Sequence, residues 1–149
     1  MSVRFREAMR EDVPAIVALL REDELGAGRE TAEPSAYLAA FDAMAAERGS
    51  RQIVGEAGGR VVACYQLTII SGLSRRGMRR AQIEAVRVTG ALRGQRLGDA
   101  LMRDAEARAR AAGCGLIQLT SDRSRDRAHA FYERLGYAAT HLGYKRALD

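Results

Sequence analysis

Seven arginines lie between residues 75 and 96 (75, 76, 79, 80, 87, 93 and 96) against a single acid, Glu84, a local net charge of +6. Within this stretch, residues 89–96 (Thr-Gly-Ala-Leu-Arg-Gly-Gln-Arg) read as a short loop. It joins an apolar run, Ile83 to Val88, to a helix that starts near Leu97. A loop that turns straight into a helix leaves the first N–H groups of that helix without intrahelical partners. The helix dipole adds partial positive charge there, so that end suits an anion, above all phosphate. Gly94 and Gly98 would let the backbone approach such a ligand with no Cβ in between. The same spacing also fits an ordinary tight strand-to-helix turn, and the charge is what favours the anion. The whole chain is +5, so everything outside residues 75–96 sums to −1. The basicity is thus concentrated around the candidate phosphate loop, and a polyanionic ligand is expected.

Other chemistry is poorly supported. The two cysteines, Cys64 and Cys114, show neither CxxC nor Cys/His ligand spacing, and are expected to be free core thiols rather than metal ligands. Cys114 follows the end of a helix, where the dipole raises thiol pKa, which argues against a nucleophile. A pI of about 9.8 invites a nucleic-acid reading. Yet 23 of the 24 basic residues are arginine, a genome-like bias in an Ala- and Gly-rich chain. Its eight aromatic residues are not interleaved with the charges, so no nucleic-acid partner is expected. No basic leader precedes an apolar run and no stretch of about 18 apolar residues exists, so a cytoplasmic protein without a membrane partner is expected.

The elements that must position the loop follow from periodicity. At 149 residues the chain is expected to be a single domain, 1–149, with a real core. Val3 to Ala8 alternates as a first strand. Glu11, Asp12 and Pro14 open a helix whose apolar face is Val13, Ile16, Val17 and Leu20. Residues 22–33 form a polar loop with five acids against Arg29, a net of −4. A helix from about Pro34 to Glu47 turns Tyr37, Leu38, Phe41 and Met44 inward. Strands 51–57 and 60–70 meet at Gly58-Gly59, a two-residue hairpin turn. After the central strand, Leu97, Leu101, Ala105 and Ala109 mark one helix face that ends at Gly113. Residues 115–120 form a short strand parallel to the central one across a helical crossover. A last helix runs from about Ser124 to Leu135, and Tyr137 to Leu148 gives one or two terminal strands. The fold class is α/β, with a mixed sheet of six to seven strands flanked by about four helices.

Three stretches stand in a telling order and spacing: Ile83 to Val88, then Arg93-Gly94-Gln95-Arg96-Leu97-Gly98, then Ala128 to Tyr137. Together they resemble the GCN5-related N-acetyltransferase (GNAT) superfamily over essentially the whole chain. The second is similar to the family's (Arg/Gln)-x-x-Gly-x-(Gly/Ala) acyl-CoA loop, and the third to its Ala-x-x-Phe-Tyr-x-x-x-Gly-Phe close. Two positions depart from the pattern. Arg96 stands where the loop usually has glycine, so either no positive φ is needed there or the side chain itself meets a phosphate. Arg125 stands where many members have asparagine, and no role is carried over to it.

The resemblance implies acetyl-CoA as co-substrate, no metal, and direct acetyl transfer to a primary amine. It implies that the Val86 N–H meets the thioester carbonyl, that Val88 pairs with the pantetheine arm, and that Arg93, Gly94, Gln95, Arg96, Leu97 and Gly98 hold the pyrophosphate. Tyr132 is the implied general acid, its alternative being a tyrosine half in the core. Glu84 is the implied general base, through a water, its alternative a strand carboxylate paired with an arginine. His129 can face solvent, and His141 can border the acceptor groove. The expected acceptor is a small molecule, with a protein N-terminus or lysine as the alternative and an acyl-CoA-binding sensor domain as the non-enzyme reading. The acidic loop at 22–33 leads to the expectation of a small cationic amine, such as a diamine or a basic amino-acid derivative, over a phosphorylated one. Arg75 to Arg80, reaching the same groove, would weaken that and favour a carboxylate or phosphonate. A homodimer is compatible with all of these.

Overall fold

The computed structural model describes residues 2–94 and 96–149. The chain falls into two compact units, one ending at Gln118 and the other running from Leu119 to Asp149.

The first unit is built on a sheet of order β1-β2-β3-β4-β5. Its strands are β1 (Arg4–Glu7), β2 (Ser50–Ala57), β3 (Arg60–Ile70), β4 (Arg80–Val88) and β5 (Leu116–Leu119). The first three pairings are antiparallel. Gly58 and Gly59 take φ of 58° and 76°, the left-handed pair that a tight hairpin between β2 and β3 requires. β5 runs with β4: Gly115 N–H donates to the Arg79 carbonyl at 2.8 Å, and the Gln118 side chain donates to that of Gln82 at 2.7 Å. Both contacts advance in the same direction along the two strands, as in a parallel pair. The sheet is therefore mixed, as expected, but has five strands among the described residues rather than six to seven. Residues 137–149 adopt no strand. Their apolar alternation (Leu142, Tyr144, Leu148) is real, yet a strand exists only where a sheet edge satisfies its backbone.

Helices cover both faces. Neighbouring strand residues point to opposite sides, so Cys64 meets Ile16 and Leu19 of α1 (Val13–Leu20), while Tyr65 reaches α5 (Leu97–Ala111). The fully buried Tyr65 hydroxyl donates to Asp104 at 2.6 Å, and Arg108 ties the same carboxylate to the Phe5 carbonyl of β1. On α5 the buried stripe is Leu97, Leu101, Ala105 and Ala109, joined by Met102. On α1 the deepest leucine is Leu19, with Leu20 only half-buried. α3 (Ser35–Glu47) keeps Tyr37, Leu38, Phe41 and Met44 on one face, half-buried rather than buried.

Two short helices were not expected. α2 (Glu24–Arg29) forms inside the acidic loop because the Asp23 side chain caps it, accepting the Gly26 N–H at 2.6 Å. α4 (Ser74–Gly77) is a left-handed turn in which Arg75, Arg76 and Gly77 all have φ between 55° and 76°. The second unit holds α6 (Asp126–Arg134), closed by Gly136 at φ 95°. Among the described residues, no helix is long and apolar enough to cross a membrane.

Candidate active site

The outer edge of β4 is where the site begins. Thr89 N–H donates to the Val62 carbonyl at 2.8 Å, so the backbone of Thr89 faces β3. Backbone groups alternate between edges along a strand, so Arg87 also faces β3 while Val86 and Val88 face the other way. β5 lies beside β4 only at its start, at the level of Arg79 to Gln82. Among the described residues no strand covers the Val86 and Val88 edge. These two outward N–H donors are spaced to take an extended amide-bearing chain.

A bulge sets this edge. Cys64 pairs with Arg87 and Gln66 with Glu84, so Ala85 and Val86 together oppose Tyr65. Ala85 carries the irregularity, with φ of 51° in the middle of a strand. A left-handed alanine costs on the order of 1 kcal/mol, and such bulges re-aim the strand at functional edges. Glu84, just before it, is exposed. Neither face of the sheet buries it.

The strand then runs into a short 3₁₀ turn (Gly90–Leu92) and the start of α5. Gly94 has φ of 84°, which explains its glycine. Arg96 is the N-cap of α5 with φ of 57°, and its side chain gives no cap hydrogen bond. The position therefore does need the left-handed backbone, and an arginine supplies it under strain. The Arg96 guanidinium is 81% exposed and reaches Asp99 at 3.4 Å. Leu97 is buried and Gly98 half-buried, and Arg93 is exposed on the loop. Gln95 lies outside the described residues. Asp99 sits in the first turn on the buried side.

The structure corrects the reading of the arginines as one cluster. Arg75, Arg76, Arg79 and Arg80 lie at the start of β4, while Arg87, Arg93 and Arg96 lie at or beyond its end. The nine residues of β4 separate the two groups by about 25 Å at the usual strand rise. Only the second group borders the loop. The acidic loop is also less free than its charge suggested. Glu22 accepts the Gly90 N–H at 3.1 Å and the Thr89 hydroxyl at 3.3 Å, and Asp23 pairs with Arg87 at 3.2 Å. Sequence reasoning did not connect these pairs. The only signal was the opposite sign of two segments more than sixty residues apart.

Tyr132 belongs to the second unit, half-buried on α6, its ring edge-on to Phe131 at 5.0 Å and to Tyr137 at 6.0 Å. His129 bonds the Asp122 carbonyl at 2.8 Å, which gives it a fixed structural post on α6. His141 is exposed and paired with the Thr140 hydroxyl. Arg125 is the N-cap of α6. Both cysteines are free, and burial pushes the Cys64 thiol up to about 12, which removes it as a nucleophile. Among the described residues no group of three or more His, Cys, Asp or Glu is placed to hold a metal.

Comparison with known proteins adds to this geometry. A crystal structure described as a transcriptional regulator from Bacillus halodurans C-125 superposes with a TM-score of 0.94 at 39% identity, covering 99% of this chain and 100% of that one. An acetyltransferase from Trypanosoma brucei is 28% identical, with a TM-score of 0.78 over 99% of this chain and 100% of its own. An aminoalkylphosphonate N-acetyltransferase of Salmonella typhimurium is 39% identical over 67 residues. That match spans 45% of this chain and 44% of that relative, less than half of either. The model of the acetyltransferase (GNAT) family matches residues 13–137. With that match running from α1 through the bulged strand and the glycine loop to Tyr137, the chain belongs to the acetyltransferase (GNAT) family.

Proposed function

We propose that the protein moves the acetyl group of acetyl-CoA directly to the primary amine of a small molecule. The observation that carries this reading is the bulged β4 edge, with Val86 and Val88 facing outward beyond the reach of β5 and leading into the N-terminus of α5. In this reading the Val86 N–H polarises the thioester carbonyl and Val88 pairs with the pantetheine. Arg93, Gly94, Arg96, Leu97 and Gly98 hold the pyrophosphate, with Gln95 in the same loop. Glu84 takes the amine proton through a water. The amine nitrogen attacks the thioester carbon, the C–S bond breaks, and Tyr132 gives its proton to the departing thiolate.

An anionic amine is favoured as acceptor, in place of the cationic one expected from the acidic loop. Glu22 and Asp23, which would have drawn a cation, are engaged with Gly90, Thr89 and Arg87. The Salmonella relative acts, by its name, on aminoalkylphosphonates. The test is a panel of aminoalkylphosphonates, diamines and basic amino-acid derivatives, followed by release of free CoA and by mass analysis of the acetylated product. A second reading, an acyl-CoA sensor without turnover, is favoured by the regulator description of the Bacillus relative. CoA binding without CoA release across the panel would select it.

A further inference from the structure

The geometry points to Arg87 as a positioning residue that fixes the Val86 segment of the β4 edge, with Asp23 as its anchor. This inference rests on the acetyltransferase reading, in which the Val86 N–H meets the thioester.

Arg87 is the residue next to the bulge, and its side chain is only 13% exposed. Its Nη1 turns back and donates to the carbonyl of Val86 at 2.9 Å. Its Nε lies 3.2 Å from the Asp23 carboxylate, at the angle of an ion pair rather than an aligned hydrogen bond. A carbonyl and an N–H of the same strand residue share an edge, so the held carbonyl flanks the N–H that would polarise the thioester. Left alone, that stretch is poorly constrained. Ala85 before it is left-handed, the ladder to β3 shifts register there, and β5 ends before reaching it. A planar fork that bonds one carbonyl while paired to a carboxylate supplies the missing constraint.

Asp23 is itself held. Its carboxylate caps α2 through the Gly26 N–H at 2.6 Å. Gly26 cannot gain a Cβ, which would overlap the Leu20 carbonyl oxygen. Beside it, Glu22 bonds Gly90 and Thr89 just past the end of β4. The α1–α2 connection is thereby joined to β4 and its following loop at three residues, 87, 89 and 90. An oxyanion donor works by being in place before charge develops, and a displacement of about 1 Å can cost about 100-fold in rate.

The test compares Arg87→Gln, Arg87→Lys and Asp23→Asn with the wild type. Asparagine caps a helix as well as aspartate does, so Asp23→Asn removes the ion pair with little risk to α2. Turnover is followed with the fastest amine of the panel, affinity by calorimetric titration of CoA, and protection of the Thr89 amide, which bonds the Val62 carbonyl, by hydrogen exchange. Arg87→Gln should lower kcat by about 10- to 100-fold, leave CoA affinity within about threefold, and speed exchange at Thr89. Arg87→Lys keeps the charge without the fork, so it should recover melting temperature but not kcat. Asp23→Asn should lower kcat in the same direction by a smaller factor. A merely structural role predicts lower melting temperatures with wild-type kcat well below them, and that result overturns the inference. Full recovery of kcat by Arg87→Lys overturns it too. A wild type that turns over while Arg87→Gln and Asp23→Asn match its kcat overturns this inference alone. A wild type that neither binds CoA nor turns over overturns the acetyltransferase reading and this inference together.

Discussion

Tyr132→Phe deletes one hydroxyl from a ring packed on Phe131 and Tyr137. Folding and CoA affinity should hardly change, because the ring contacts remain. If the hydroxyl protonates the thiolate, kcat should fall by roughly 10²–10⁴, and stopped assays of CoA release would measure it. Glu84→Gln should flatten the low-pH limb of the rate profile, since an amide does not titrate. A second group controls stability rather than rate. Arg6 donates two hydrogen bonds to the nearly buried Asp12, at 2.7 and 3.0 Å, and a third to Glu56. The Arg6 hydrogen bonds hold the Asp12 carboxyl below its ordinary value, outweighing the opposing effect of burial. A pKa depressed on folding contributes stability that is fully present above the unfolded pKa of about 3.9. That contribution is lost as pH falls through the lower folded value. Asp12→Asn should therefore cost about 1–2 kcal/mol at neutral pH, the loss of charge-assisted hydrogen bonds from an Arg6 that keeps its bond to Glu56. The loss should shrink in acid, and urea melts at pH 7 and pH 3 would show the two curves converging. Equal losses at both values would remove the pair from the account.

At the scale of elements, the arginines divide between the two ends of β4, and this gives a direct comparison. Arg93→Gln should weaken CoA binding and reduce its salt dependence. The triple change of Arg75, Arg76 and Arg80 to Gln should leave both within about twofold, since about 25 Å of strand separates them from the loop. Calorimetric titrations of CoA at low and high salt separate the outcomes. If the triple change weakens binding as much as Arg93→Gln, the phosphates lie elsewhere. Most elements were legible in the sequence where periodicity and punctuation agreed. The stripe Leu97, Leu101, Ala105 and Ala109, the Gly58-Gly59 turn and the closing Gly113 and Gly136 each had one physical reading. The misses have physical causes as well. α2 depends on a cap by Asp23 and a close approach at Gly26, both invisible until the chain folds. α4 places two arginines in left-handed backbone, against their preference. The bulge at Ala85 has no glycine to announce it, and the terminal apolar alternation found no edge. Of the candidate site, the turn before α5 was legible as an element from its glycines and charge, Glu84 entered only through the family resemblance, and Arg87 counted only as charge.

For the whole molecule, net charge of +5 conceals a polarity within the fold, because basic and acidic segments meet at the end of β4. A ligand on the β4 edge of the first unit stabilises its native state by mass action. CoA in hundredfold excess over its Kd should then add about 2.7 kcal/mol. The central claim is acetyl transfer, and the most direct measurement is steady-state release of CoA from acetyl-CoA in the presence of aminoalkylphosphonates, with the product weighed by mass spectrometry. Direct transfer predicts amine-dependent CoA release matched one for one by N-acetylated product, and slower turnover with diamines. CoA release absent with every amine tested, in protein that is folded and binds CoA, would contradict it.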